Sequence, residues 1–106
     1  MKEEKKLQTL ILNYLKELSE TYPIYAERRN AGAYSYKAGT PDLYAVINGT
    51  HIEIEVKSKN GQLSPLQEQY RQRCNRLNII YLCVNDFNQF KTDIDNLLNK
   101  LYNNNI

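Results

Sequence analysis

Two acidic residues and a lysine are spaced so that they could form a metal site. Asp42 precedes an apolar-rich run, and Glu55 and Lys57 close the next one. Carboxylate oxygens are ligands that Mg²⁺ accepts, with water filling its other positions. Lysine adds a compact positive charge without competing for the metal. The residue types therefore predict a divalent-cation site, provided that the fold brings the two acids together.

A predicted β-hairpin would bring Asp42 and Glu55 together. Asn48-Gly49 separates the two runs, and both residues tolerate the positive φ of a type I′ turn. Ile47 then pairs with Thr50 and Asp42 falls opposite Glu55, with Cβ atoms roughly 5 Å apart; a three-residue loop would shift this register. Because side chains alternate along a strand, one apolar face should pack on a core. That face comprises Leu43, Ala45, Ile47, Ile52, Ile54 and Val56.

The other face of the hairpin carries the charges. It comprises Asp42, Tyr44, Val46, His51, Glu53, Glu55 and Lys57. Like charges opposite each other are unfavourable unless something offsets them, and a divalent cation is the simplest offset. The alternative is an ordinary solvated face on which Lys57 pairs with Glu55. The pattern alone leaves both interpretations open.

An amphipathic helix, predicted over about residues 3–20, and a strand near residues 24–30 precede the hairpin. Glu4 is either a solvated acid that suits the helix dipole or a carboxylate aimed towards the hairpin. The following loop gathers basic and tyrosine side chains that could neutralise phosphates and stack on bases; the alternative is a solvated loop. The candidate DNA contacts here are Arg28, Arg29, Lys37 and Tyr36.

A second helix should begin after the hairpin. Ser64-Pro65-Leu66-Gln67 is a capping box that starts a helix running to about Leu77. Gln67 either serves only as a cap or also orients a group beside the acids, and Arg71, one turn further on, could point the same way. The expected buried stripe of this helix is Leu66, Tyr70, Cys74 and Leu77.

The remaining chain predicts a strand and a helix. Residues 79–84 form a short apolar run typical of a buried central strand, and a last helix should begin at Asp86 or Asn88. Cys74 and Cys83 lack metal-ligand spacing, so we expect reduced core residues. The 106 residues predict one domain. A net charge of +2 requires any nucleic-acid binding to use a local basic patch, and no stretch is long enough to span a membrane.

The order αβββαβα, with Asp42 before the hairpin and Glu55-Val56-Lys57 on its second strand, resembles the PD-(D/E)XK nuclease superfamily. Within it the chain is similar to the VRR-Nuc family, in particular to its stand-alone phage-type members. The matching stretches are Glu4, residues 8–15, Gly39–Leu43, Ile54–Lys57 and Gly61–Gln67. The resemblance covers about residues 4–84. It implies an α/β fold with a restriction-endonuclease-like core, in which helices flank a central mixed sheet, as a single VRR-Nuc-like domain over residues 1–106.

The resemblance also implies a Mg²⁺- or Mn²⁺-dependent DNA endonuclease that hydrolyses phosphodiester bonds, selective for Holliday-junction or other branched DNA. Asp42, Glu55 and the Val56 carbonyl would ligate the metal, and Lys57 would orient or activate water. Gln67 and Glu4 match the family's glutamine and helix-one acid.

Stand-alone members of the family resemble homodimeric junction resolvases, so a cytoplasmic homodimer is expected, in the host cytoplasm if the protein is phage-encoded. The alternative is a catalytically silent nucleic-acid-binding or protein-interaction module on the same fold.

Overall fold

The structure, a computed structural model, describes residues 2–29 and 38–103. It has the predicted order of helices and strands: α1 (Lys2–Leu18), β1 (Ile24–Arg28), β2 (Leu43–Ile47), β3 (Thr50–Val56), α2 (Pro65–Arg76), β4 (Ile80–Val84) and α3 (Phe87–Asn103). The strands form one sheet in the order β1-β2-β3-β4. The first three are antiparallel neighbours, whereas β4 runs parallel to β3. The predicted mixed sheet is therefore confirmed.

The hairpin of β2 and β3 has the predicted turn and register. Asn48 and Gly49 have φ values of 48° and 82°, as a type I′ turn requires. Ile47 pairs with Thr50, and Leu43 pairs with Ile54. All six residues of the predicted apolar face are 0% exposed. They pack with apolar residues of α1 and α3, namely Ile11, Leu15, Phe90, Ile94 and Leu98.

The last strand is apolar for a different reason from the one expected. β4 is an edge strand, not a central one, because its neighbour in the sheet of the described residues is β3 alone. Ile80 and Leu82 pack against the core that α3 covers, and α2 contacts β4 as well. When helices cover both faces of a strand, its sequence is a continuous apolar run, whether the strand lies at the centre or at the edge of the sheet.

The prediction of a buried stripe on α2 is correct for two of its four residues. Cys74 is buried and Tyr70 partly buried, but Leu66 and Leu77 are 50% and 62% exposed. The helix packs over the polar face of the sheet, where few apolar partners are available. Cys83 is also exposed, because it lies on the edge strand and not in the core as predicted. Both cysteines are free thiols.

No helix among residues 2–29 and 38–103 is long and apolar enough to cross a membrane.

A glycine allows the segment before β2 to touch the start of α2. Gly39 has a φ of 87°, and a Cβ atom placed there would lie 2.6 Å from the Leu66 carbonyl oxygen. Gly49 has a similar φ of 82° but no heavy atom within 4 Å of such a Cβ. The two glycines share a backbone conformation and differ in packing.

Replacing each glycine by alanine should separate these effects. Both Gly39→Ala and Gly49→Ala should lose about 1–3 kcal/mol of stability because L residues are strained at positive φ. Gly39→Ala should lose about 1–3 kcal/mol more, since its methyl group overlaps the backbone of α2. Urea unfolding of the two variants measures the difference. Equal losses would show that the contact with α2 does not constrain residue 39.

Candidate active site

The predicted acids meet at the open end of the hairpin. Asp42 follows the fully buried Pro41 and stands one position beyond the last pair of β2 and β3. In the same register its cross-strand position is Glu55, which is 2% exposed. Asp42 Oδ2 accepts a 3.4 Å hydrogen bond from the Val56 N–H. The hairpin thus turns both carboxylates to the side of the sheet away from the core.

Glu55 has an electrostatic environment that opposes its ionisation. Its pKa is raised to about 8, mainly by burial, and the negative charge of Asp42 contributes to the rise. The Lys57 ammonium acts in the opposite direction, and Glu4 adds a smaller increase. A buried carboxyl beside another carboxylate behaves in this way, because two negative charges in a dry site repel each other.

One oxygen of this buried acid has no donor. Glu55 Oε1 is shielded from solvent and has no hydrogen-bond partner among the described residues, and the same holds for the hydroxyl of Tyr81. Buried polar atoms without partners are rare in folded proteins. A proton, a water or a cation could each supply the missing partner of Glu55 Oε1, and a cation would also offset the charge of Asp42.

Gln67 satisfies both interpretations of its sequence position. Its side-chain Oε1 accepts from the Ser64 backbone N–H at 2.8 Å, and the Gln67 backbone N–H donates to Ser64 Oγ at 3.2 Å. These two bonds complete the predicted capping box. Its Nε2 donates to Glu55 Oε2 at 3.2 Å. The amide group therefore begins α2 with one end and holds the buried acid with the other.

Lys57 and Glu4 lie close to the same acids. The Lys57 N–H donates to the Val84 carbonyl at 2.9 Å and extends the parallel pairing past the end of β3. Glu4 is partly buried, and its Oε2 accepts from the Ser58 N–H at 3.2 Å. The start of α1 is thus fixed to the segment that follows Lys57. Glu4 is aimed towards the hairpin, as the second of its two interpretations proposed.

Of the candidate DNA-binding residues, two arginines bond to other side chains of the protein. Arg28 donates to Gln8 Oε1 at 2.9 Å and to Thr9 Oγ1 at 3.3 Å on α1, and Arg71 is paired with Glu68 on its own helix. Tyr36 and Lys37 lie outside the described residues. Their contacts with nucleic acid remain predictions.

Sequence reasoning missed the burial of a second acid. Glu53 is 4% exposed and accepts hydrogen bonds from both terminal nitrogens of Arg29, at 2.6 and 2.9 Å. His51 Nε2 lies 2.6 Å from Glu53 Oε2. The alternation of β3 correctly placed His51, Glu53 and Glu55 on one face. It could not show that α2 covers that face.

The donor set suits a hard cation that keeps several waters. Glu55 offers one buried oxygen without a partner, and Asp42 lies directly beside it. No cluster of three or more His, Cys, Asp or Glu residues suited to a metal exists within the described part of the chain. The protein would supply two carboxylates, while backbone oxygen and solvent completed the shell, as is usual for Mg²⁺.

Solved structures identify the fold. One named "VRR_NUC domain" has 24% sequence identity and a TM-score of 0.68, and the match covers 88% of this chain and 95% of that one. Another, named "VRR_NUC domain protein", has 20% identity and a TM-score of 0.69, with coverage of 88% and 85%. No protein-family model and no curated protein matches the chain. The chain has the VRR-Nuc fold that the sequence resemblance predicted.

The pKa of Glu55 predicts an unusual pH dependence in the absence of divalent cations. The folded protein keeps the Glu55 proton until about pH 8, whereas the unfolded chain releases it near pH 4.5. The folded state binds more protons between these values, so the free energy of unfolding should fall as pH rises through this window. Thermal unfolding in EDTA, measured in buffers spanning the window, tests this.

The matched variant is Glu55→Gln, which removes the titration and keeps the size of the side chain. It should lack the Glu55 contribution to the decline and unfold at a higher temperature than the wild type at pH 8. If both proteins lost stability equally over the window, Glu55 would not be the titrating group.

Proposed function

We propose that this chain, which has the VRR-Nuc fold, belongs to that family and is a Mg²⁺- or Mn²⁺-dependent deoxyribonuclease. The observation that carries the proposal is the buried Glu55 carboxyl beside Asp42, because Glu55 Oε1 has no partner among the described residues. Acids with strongly shifted pKa values occur most often at functional sites. The same pair without a ligand would weaken the fold, which favours a role in binding a cation.

The residues around the pair have separate roles in this proposal. Asp42, Glu55 and the Val56 carbonyl would hold the cation, which when bound would neutralise the phosphate and lower the pKa of a water. The Lys57 ammonium, close enough to oppose the pKa rise of Glu55, would donate to that water or to a phosphate oxygen. Gln67 holds Glu55 Oε2 and leaves the other oxygen for the ion.

The substrate proposal goes further. We infer branched DNA, such as a Holliday junction, and a homodimer acting in the cytoplasm, because the motifs of this chain resemble those of stand-alone phage-type members. Arg28 and Arg71 would reach phosphates by exchanging their present partners. Arg28 lies on β1 and Arg71 on α2.

Replacing Asp42 or Lys57 should strongly reduce the cleavage rate without unfolding the protein. Asp42→Asn and Lys57→Ala should each lower the cleavage rate by about 10²-fold or more, because water activation and charge stabilisation depend on them. The measurement is product formation from branched and linear duplex DNA with Mg²⁺, Mn²⁺ or EDTA.

The matched controls are Asp93→Asn on α3 and Lys59→Ala. They make similar changes at residues that have no role in the proposed site. Cleavage by Asp42→Asn or Lys57→Ala at the wild-type rate would show that the site is assigned wrongly. Wild-type protein that bound DNA but gave no metal-dependent product would instead be the catalytically silent module.

The two contacts of Gln67 can be tested separately. Ser64→Ala removes the hydroxyl acceptor and should lower stability by about 1 kcal/mol while leaving cleavage by the folded protein unchanged. Gln67→Ala should cause a similar loss of stability and also lower cleavage about 10-fold, because Glu55 loses its donor. Urea unfolding and cleavage rates at saturating Mg²⁺ distinguish them. Equal cleavage losses in both variants would assign Gln67 to the helix cap alone.

A further inference from the structure

Arg29 ties together the chain on both sides of the Pro41–Asp42 peptide bond. Its backbone N–H donates to the Asp42 carbonyl at 2.8 Å. Its Nη1 donates to the Pro41 carbonyl at 2.9 Å. Two consecutive carbonyls, immediately before and at the proposed metal ligand, therefore accept hydrogen bonds from one residue. These contacts hold the backbone that carries the Asp42 carboxylate.

Asp42 needs such support because regular sheet pairing does not reach it. β2 begins at Leu43, and β1 ends at Arg28, so Arg29 and Asp42 meet just beyond the ends of their strands. Pro41 has no N–H to donate. Among the described residues, the Asp42 carboxylate accepts one backbone hydrogen bond, the 3.4 Å bond from the Val56 N–H, which is long for an N–H···O bond. Its position therefore depends on the backbone before it.

The arginine is in turn held rigidly. Both oxygens of the buried Glu53 accept from its terminal nitrogens, at 2.6 and 2.9 Å. Its guanidinium lies 5.0 Å from the centre of the Tyr44 ring. A two-point bond to a carboxylate fixes the plane of the guanidinium, which a lysine ammonium cannot reproduce. With 13% of its side chain exposed, Arg29 is built into the structure.

We propose that Arg29, held by Glu53, is a positioning residue that sets the direction of the Asp42 carboxylate towards the cation. This inference rests on the proposed function and assigns Arg29 a different role from the DNA contact predicted from sequence. Outer contacts of metal ligands commonly change metal affinity 10–100-fold when removed. Arg29 should act on metal binding before any DNA is present.

The test must separate positioning from the ion pair's contribution to folding. The variant Arg29→Met/Glu53→Met removes both charges, so neither is left buried without its partner. Arg29→Lys is a second variant, which keeps a positive charge beside Glu53 but cannot reproduce together the side-chain bonds to Pro41 and to both oxygens of Glu53. The matched control is His51→Phe, which removes a neighbour of Glu53 and leaves the side-chain bond from Arg29 to the Pro41 carbonyl in place. The backbone bond from residue 29 to the Asp42 carbonyl is kept in all of these variants.

Two measurements are made without DNA or turnover. In EDTA, hydrogen exchange of the Val56 amide reports whether Asp42 Oδ2 still accepts its hydrogen bond. Calorimetric titration with Mn²⁺ then reports metal affinity. Both Arg29 variants should exchange this amide faster and bind Mn²⁺ about 10-fold more weakly than the wild type, while His51→Phe should match the wild type in both respects.

Wild-type exchange at Val56 in the two Arg29 variants would overturn the inference, as would equally fast exchange in His51→Phe. The proposed function fails separately, if the wild-type protein binds no Mn²⁺ and cuts no DNA. In that case the exchange of Val56, which needs no metal, still decides whether Arg29 positions Asp42.

Discussion

The placement of the Asp42 carboxylate beside the buried Glu55 carboxyl is the constraint on which the rest of this structure depends. Asp42 and Glu55 face each other because the hairpin register leaves them no alternative. Burial and mutual repulsion raise the pKa of Glu55 to about 8. A sheet end filled by apolar side chains would avoid this repulsion. The chain instead gives Glu55 a donor from α2 and Asp42 a donor from β3, and it leaves Glu55 Oε1 without a partner among the described residues.

Bonds that complete the fold also complete the site. The amide of Gln67 begins α2 and holds Glu55, and Glu4 in the first turn of α1 accepts from the segment behind Lys57. Each bond fixes a helix end as well as a side chain near the acids. The positions of these two helix ends and of the side chains near Asp42 and Glu55 are therefore coupled.

Local patterns gave the hairpin, its register, the capping box and the order of elements, because each of these depends on residues near one another in sequence. The turn Asn48-Gly49 alone fixed which acid faces Glu55. Alternation identified the face on which Glu53 lies but not its cover, since burial there depends on a helix that follows later in the chain. The exposure of Leu66 and the edge position of β4 were also missed, because both depend on contacts between segments far apart in the chain. The role proposed for Arg29 rests on its distances to Pro41 and Glu53, which a sequence pattern does not contain.

The contact between Gly39 and the Leu66 carbonyl joins parts of the chain that are far apart in sequence. The loop that leads to Asp42 lies directly on the first turn of the helix that contains Gln67, with no room for a methyl group between them. The segments that carry Asp42 and Gln67, both of which interact with Glu55, are thereby packed directly against each other. A relative with a larger residue at this position would have to displace its second helix outward, and the amide beside the acid would move away with it.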